Sequence, residues 1–192
     1  THLWMLDEGS LTNANDQGSG TALDMTLQNA AQWGTDALGD YVTVNSGSSY
    51  YAKTATGAVW DASGGLLLIS IFKTDSATGP VTSTEFWFST HDSTAAAAEC
   101  AIRNANIDPE VKAQAWGVAD DASGVSVNSS SGVYDQAWHM VAAKFKSGTA
   151  TSCCAVSIDG GAFDEDVSDT LGSTITLDRY AIGARARLVI NG

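Results

Sequence analysis

Apolar and polar side chains alternate along most of this chain, and the alternation has period two. In "WHMVAAKFK" (138–146), Val141, Ala143 and Phe145 fall on one side, while Trp138, Met140, Ala142, Lys144 and Lys146 fall on the other. In "CCAVSID", Cys154, Val156 and Ile158 share a side. Successive side chains of a pleated strand point to opposite faces, so this is the signature of strands with one face in a core. "KSGTATS" joins the two runs, and "DGG" at 159–161 supplies the positive backbone angles of a tight turn. Residues 135–163 therefore read as a hairpin followed by a second turn.

The same pattern predicts strands at 2–6, 23–28, 41–45, 66–73, 84–90, 97–104, 111–119, 124–128, 138–146, 152–158, 174–177, 179–184 and 186–190. "LLLISIF" is apolar on both sides, which predicts a central strand. "STAAAAECAIRNA" has the alanine content of a short helix. Its neighbours "TEFWFST" and "VKAQAWGVA" alternate with period two, which favours a strand over 97–104. Many short strands without helices predict an all-β fold, with two antiparallel sheets packed as a β-sandwich or jelly roll.

Composition narrows the picture. A chain of 192 residues suits one sandwich-sized domain, 1–192. At this length roughly 70% of the unfolded surface is buried, enough for a core without covalent staples. The formal charge is −13, from 22 acids against nine bases. That excludes nucleic acid as a partner, because phosphate binding needs clustered Lys and Arg. It also opposes anionic membranes and fits an extracellular or virion-exposed surface. No apolar run reaches membrane length, so no membrane insertion is expected. "THLWMLDEGS" has neither a basic start nor a long apolar run, so no signal peptide is read there. The three cysteines, Cys100, Cys153 and Cys154, are too few for a disulfide framework. Adjacent residues on a strand face opposite ways, so Cys154 is expected in the core and Cys153 outside, both reduced.

With these motifs in order, the chain resembles the laminin G-like branch of the concanavalin A-like lectin/glucanase superfamily. The resemblance rests on Trp138, His139 and Val141, a hairpin, then Val156, Asp159 and Gly160, then Ile182 and Gly183. The opening "WMLDEGSLTNANDQGSGTALDMTLQNAAQWGTDALGDYVTVN" is similar to the start of that family, while 75–135 matches it weakly. The resemblance implies a further last strand, which would be missing, displaced or supplied by another chain. An unpaired edge there would be a contact point.

Fold does not settle function, so sites must. Glycosidases of the superfamily carry Glu-x-Asp-x-x-Glu on one strand, which alternation places on one face as nucleophile and acid/base. The nearest run here, "FDEDVSD" with Asp164, Glu165, Asp166 and Asp169, follows a Gly-Gly turn and reads as a solvated acidic loop. No catalytic residue is assigned. His139 reads as an edge or surface histidine. A ligand-binding set has better geometry. Alternation places Trp87, Arg103, Gln114 and Trp116 on one outer face of a shared sheet, with aromatic surfaces for sugar rings and polar groups for hydroxyls. The other tryptophans read as core or loop anchors. Relatives often hold calcium at a sandwich edge. Asp92, Asp120 and Asp121 offer hard oxygen ligands for it, but without the density of a dedicated loop they read first as solvated acidic turns.

These observations predict a non-catalytic recognition or adhesion module for a glycan or a protein partner. The alternative is a structural virion protein, a head decoration or tail attachment subunit that contacts neighbouring subunits.

Overall fold

The computed structural model describes residues 1–10, 12–29, 31–44, 51–55, 60–61, 64–75, 77, 86–91, 99–105, 108–116, 124–146, 153–167 and 176–183. Eight strands form one sheet, in the spatial order β1 (Asn13–Ala14), β2 (Met25–Gln28), β5 (Tyr51–Thr54), β16 (Arg179–Ile182), β8 (Phe86–His91), β9 (Glu99–Ala105), β10 (Asp108–Trp116) and β11 (Val125–Gly132). Four form a second sheet, β14 (Asp164–Glu165), β13 (Cys154–Ile158), β12 (Trp138–Phe145) and β7 (Leu66–Lys73). Two short pairs complete the set, β3 (Gln32–Asp36) with β4 (Gly39–Thr43), and β6 (Trp60–Asp61) with β15 (Thr176–Leu177). Neighbouring strands are antiparallel throughout the described residues. The expected antiparallel β-sandwich is the observed fold.

Alternation builds the core. Val141, Ala143 and Phe145 of β12 and Cys154 and Val156 of β13 are buried. They meet Cys100, Ile102, Val111, Ala113 and Ala115 of the larger sheet in one apolar cluster. Cys154 spans the layers, its Sγ donating to the Ala113 carbonyl at 3.2 Å. Burial pushes the Cys100 and Cys154 thiols up, so both stay protonated. Cys153 is also buried, not outward-facing. It precedes β13, and its carbonyl accepts from the Lys146 amide at 2.9 Å, so the strand's alternation does not govern it.

Two strand expectations fail. Residues 2–6 are no strand; Trp4 makes only an isolated bridge to Asp16. Instead, its indole caps the inner face of the larger sheet, 6.2 Å from the Phe88 ring and 5.3 Å from Tyr180. The Asp16 carboxylate anchors this segment. It accepts from His2 Nδ1 at 2.6 Å and from the amides of Leu3, Gly18 and Leu23 at 2.9–3.0 Å. Burial raises its pKa, but these bonds outweigh that and bring it down to about 2. The second failure is β7. Despite its two-sided apolar run, it is the last strand in its sheet among the described residues, not a central one. Leu68 points into the core, while Leu67, Ile69 and Ile71 are exposed. The run expected at 186–190 lies outside the described residues.

The Trp-His and Ile-Asp-Gly-Gly motifs close the open end of the β12–β13 hairpin. Asp159 adopts φ +53° and Gly160 φ +75°, turning the chain as β13 ends. The Asp159 amide donates to the Met140 carbonyl at 2.8 Å, and Asp159 Oδ1 accepts from the Met140 amide at 2.9 Å. His139 then bridges two carboxylates, with Nδ1 2.8 Å from Asp159 Oδ2 and Nε2 2.9 Å from Asp135 Oδ1. Carboxylates only accept, so the full clip needs both ring nitrogens protonated. Trp138 beside it anchors the β3–β4 hairpin, donating from Nε1 to Asp36 Oδ2 at 3.0 Å. Gly183, the other end of the resemblance, has φ +77°, and a Cβ there would collide with the Val44 side chain.

The clip sets a pH window. Burial lowers the His139 pKa, but the bonds to Asp135 and Asp159 more than reverse it, so the folded value lies above the ordinary 6.5. Asp135 and Asp159 are lowered from 3.8, chiefly by the bond to His139. A raised histidine stabilises fully below its unfolded pKa and loses that contribution as pH rises through the folded one. Lowered carboxylates stabilise above their unfolded pKa and lose it as pH falls through the folded values. The clip is therefore strongest between the ordinary carboxylate and histidine values. Thermal melting of the wild type and His139→Ala should differ by a few degrees near the middle of that window, and by less in mildly alkaline buffer. A difference that grows with rising pH would contradict the clip.

Candidate ligand-binding face

The outer face of the eight-stranded sheet is set by register. Cys100, Ile102, Ala113 and Ala115 point inwards, so the residues between them point away from the second sheet. Directly paired residues then form a row across all eight strands: Asn13, Thr26, Lys53, Ala181, Ser89, Ala101, Gln114 and Ser126. The row holds no large apolar side chain. Its middle is small, with Ala181, Ser89 and Ala101 each fully buried. On one side runs a row of Arg179, His91, Glu99 and Trp116. On the other, Arg103 pairs with Lys112, which pairs with Asn128. A small-residue floor thus lies between two polar ridges. His91, Glu99 and Arg103 are buried, at 2%, 0% and 7% exposure.

Arg103 and Gln114, both expected at the site, are brought together. Arg103 Nε donates to Gln114 Oε1 at 2.6 Å, and Nη1 donates to the Asn104 carbonyl at 2.9 Å. Gln114 is thereby fixed with its amide NH2 turned away from the arginine. Trp116 ends β10, its backbone paired with Glu99; its side chain lies outside what the structure describes. Asp92, Asp120 and Asp121, the residues offered for calcium, lie outside the described residues.

Trp87 does not share this face. Strand pairing shifts between Phe86 and Phe88, so Trp87 sits on a β-bulge. The extra residue breaks alternation, and Trp87 and Phe88 both enter the core. Trp87 is 7% exposed and stacks on Phe72 of the opposite sheet, with ring centroids 4.3 Å apart and planes at 24°. Tyr134 closes its far side at 6.0 Å. It is a core anchor and offers no surface to a ligand. The expectation followed from uninterrupted alternation through "TEFWFST", and a single bulge overturns it.

Several residues of the face were missed from sequence. Lys53 lies on β5, a strand too short to stand out. His91 and Arg179 come together only because β16 inserts between β5 and β8. The parity of Ser89 and His91 after Phe88 was the available signal.

No protein-family model matches the chain, and no curated protein sequence matches it. Among solved structures, the chain is similar to the binding domain of botulinum neurotoxin DC in complex with SialylT. That likeness has a TM-score of 0.52 and 10% identity, and covers 99% of this chain and 51% of the other. The chain therefore spans about half the length of that structure. An endo-1,3-beta-glucanase from Streptomyces sioyaensis matches at TM-score 0.39 and 13% identity, over 96% of this chain and 78% of that one. What the chain shares with the toxin binding domain is the fold. It is an antiparallel β-sandwich.

The burial of Trp87 separates stability from recognition. Trp87→Ala should cost about 3–5 kcal/mol in chemical denaturation. Gln114→Ala removes a partner of Arg103 and should cost about 1–2 kcal/mol. Equal, small effects would mean that Trp87 is not packed between the layers.

Proposed function

We propose that the chain is a non-catalytic recognition module of laminin G-like type that takes carbohydrate on the outer face of the eight-stranded sheet. The observation that carries this reading is the part-exposed end of the polar row, where Gln114 is held by Arg103 and pairs with Ser126 beside Lys112 and the exposed Asn128. A sugar needs donors and acceptors held in place for its hydroxyls. Gln114, oriented by Arg103, is a positioned donor. Trp116, at the end of β10, is the residue assigned to stack on an apolar ring face. The fold likeness to a toxin binding domain in complex with SialylT supports a ligand of this class. Glycoside hydrolysis would need two carboxylates across a scissile bond. Among the described residues, Glu99 on this face is paired with His91 and with Trp116, not with a second acid.

A glycan array followed by calorimetry tests this reading. Gln114→Ala and Trp116→Ala should each weaken any hit roughly tenfold or more, about 1.4 kcal/mol, while the protein stays folded. The absence of any hit, or hits untouched by both substitutions, would count against the face. Turnover of a β-glucan panel, lost in Glu165→Gln with Asp166→Asn, would replace the non-catalytic reading.

A second reading, a decoration or attachment subunit on a virus particle, is favoured by a different feature. The smaller sheet leaves an apolar surface open. Stoichiometric presence of the chain in purified particles, with no glycan bound, would support it.

A further inference from the structure

We propose that the outer face of β7 and β12 docks a second copy of this chain. Leu67, Ile69 and Ile71 of β7 are 54%, 49% and 65% exposed, and Met140 of β12 is 39% exposed. They are not scattered. Ile71 pairs with Met140, Ile69 with Ala142 and Leu67 with Lys144, so they form one continuous strip on two adjacent strands. The intervening residues Leu68, Val141, Ala143 and Phe145 fill the core. The strip exposes on the order of 400 Å² of apolar surface, the scale at which a patch on a soluble protein marks a contact site. No acidic side chain lies on β7 or β12, and lysines stand at both ends, Lys73 and Lys144.

The other half of the same sheet face is its complement. Ser157 Oγ donates to the Gly161 carbonyl at 2.8 Å, drawing the following segment across β13. Phe163 then lies under Lys144, whose Nζ sits 3.5 Å from the ring centroid. This covers β13, where Ala155 and Ser157 are buried, and raises a ridge beside the open strip. Carboxylates border the ridge, with Glu165 exposed on β14 and Asp159 at the end of β13 with a half-exposed side chain. One face therefore carries an apolar, lysine-ended strip and an acid-bordered ridge. A two-fold pairing sets the strip of each copy against the ridge of the other, as an isologous interface requires. Strands of eight, eight, five and two residues, about 4.8 Å apart, project roughly 360 Å². That is below the roughly 800 Å² per partner of a standard interface and fits a small, reversible pairing.

Light scattering on the full chain, eluted from a sizing column at tens of micromolar, tests the proposal. The wild type should show twice the monomer mass. Ile69→Glu with Ile71→Glu should return it to the monomer mass, with far-UV dichroism and melting temperature retained. Should that double variant unfold, the milder Ile71→Ser should weaken dimerisation at least tenfold. A monomeric wild type overturns the proposal, as does a dimer indifferent to these substitutions. A monomer that floats with phosphatidylcholine/phosphatidylglycerol vesicles overturns it in favour of a lipid surface. None of these readouts involves the glycan-binding face.

Discussion

Two sheets of unequal width must cover each other, and this mismatch governs the molecule. Eight strands face four. Where β9, β10 and β11 lie over β12 and β13, each layer buries the other's apolar face, and Cys154 reaches the Ala113 backbone. Beyond that overlap, Phe88 and Tyr180 would face water. The N-terminal segment closes the gap with Trp4 and His2, which pack on those rings at 5.3–6.2 Å. The segment has no strand ladder to hold it, so its position rests on the Asp16 carboxylate and its four donors together with the Trp4 Nε1 bond to the Leu23 carbonyl and the Gln17 amide bond to the Leu3 carbonyl. Burial of apolar rings and a charge-assisted bond network therefore act together, one supplying most of the free energy and the other the geometry.

The bulge at Trp87 adjusts the same packing. Two successive aromatics enter the core, one stacking on the opposite sheet and one meeting Trp4. After Phe88 normal alternation resumes, so Ser89 and His91 face outward in phase with Ala101 and Glu99. The outer floor stays small and polar because the bulky rings have been drawn inward. Gln114, held by Arg103, is preorganised, and little ordering of it is left for a ligand to induce.

The two outer surfaces are chemically opposed. The wide sheet presents polar rows, and the narrow sheet presents a leucine, isoleucine and methionine strip. On the narrow sheet the His139 clip and the Trp138–Asp36 bond fix the start of β12, and Phe163 covers β13. Among the described residues, β7 and the Met140 end of its neighbour remain open. One surface suits hydroxyl-rich ligands and the other a dehydrated contact, so recognition and assembly can occupy different sides of one sandwich.

The antiparallel sandwich, the β12–β13 hairpin with its Asp-Gly turn, and the inward parity of Val141, Phe145, Ile102 and Ala113 were legible from period two alone, since alternation is a local property of the backbone. So was the shared outer parity of Arg103 and Gln114, which lie on adjacent strands with no bulge between them. Three features were decided only by the tertiary structure. The inward turn of Trp87 depends on a bulge whose cost is met by Phe72 across the layers. The edge position of β7 depends on which strands pair with it, and a two-sided apolar run cannot distinguish a central strand from one whose outer face is left for a partner. The row from Lys53 to Gln114 depends on β16 threading between strands more than ninety residues away in sequence. Side-chain direction is written into neighbouring residues, whereas strand order is set by long-range burial, which no local pattern encodes.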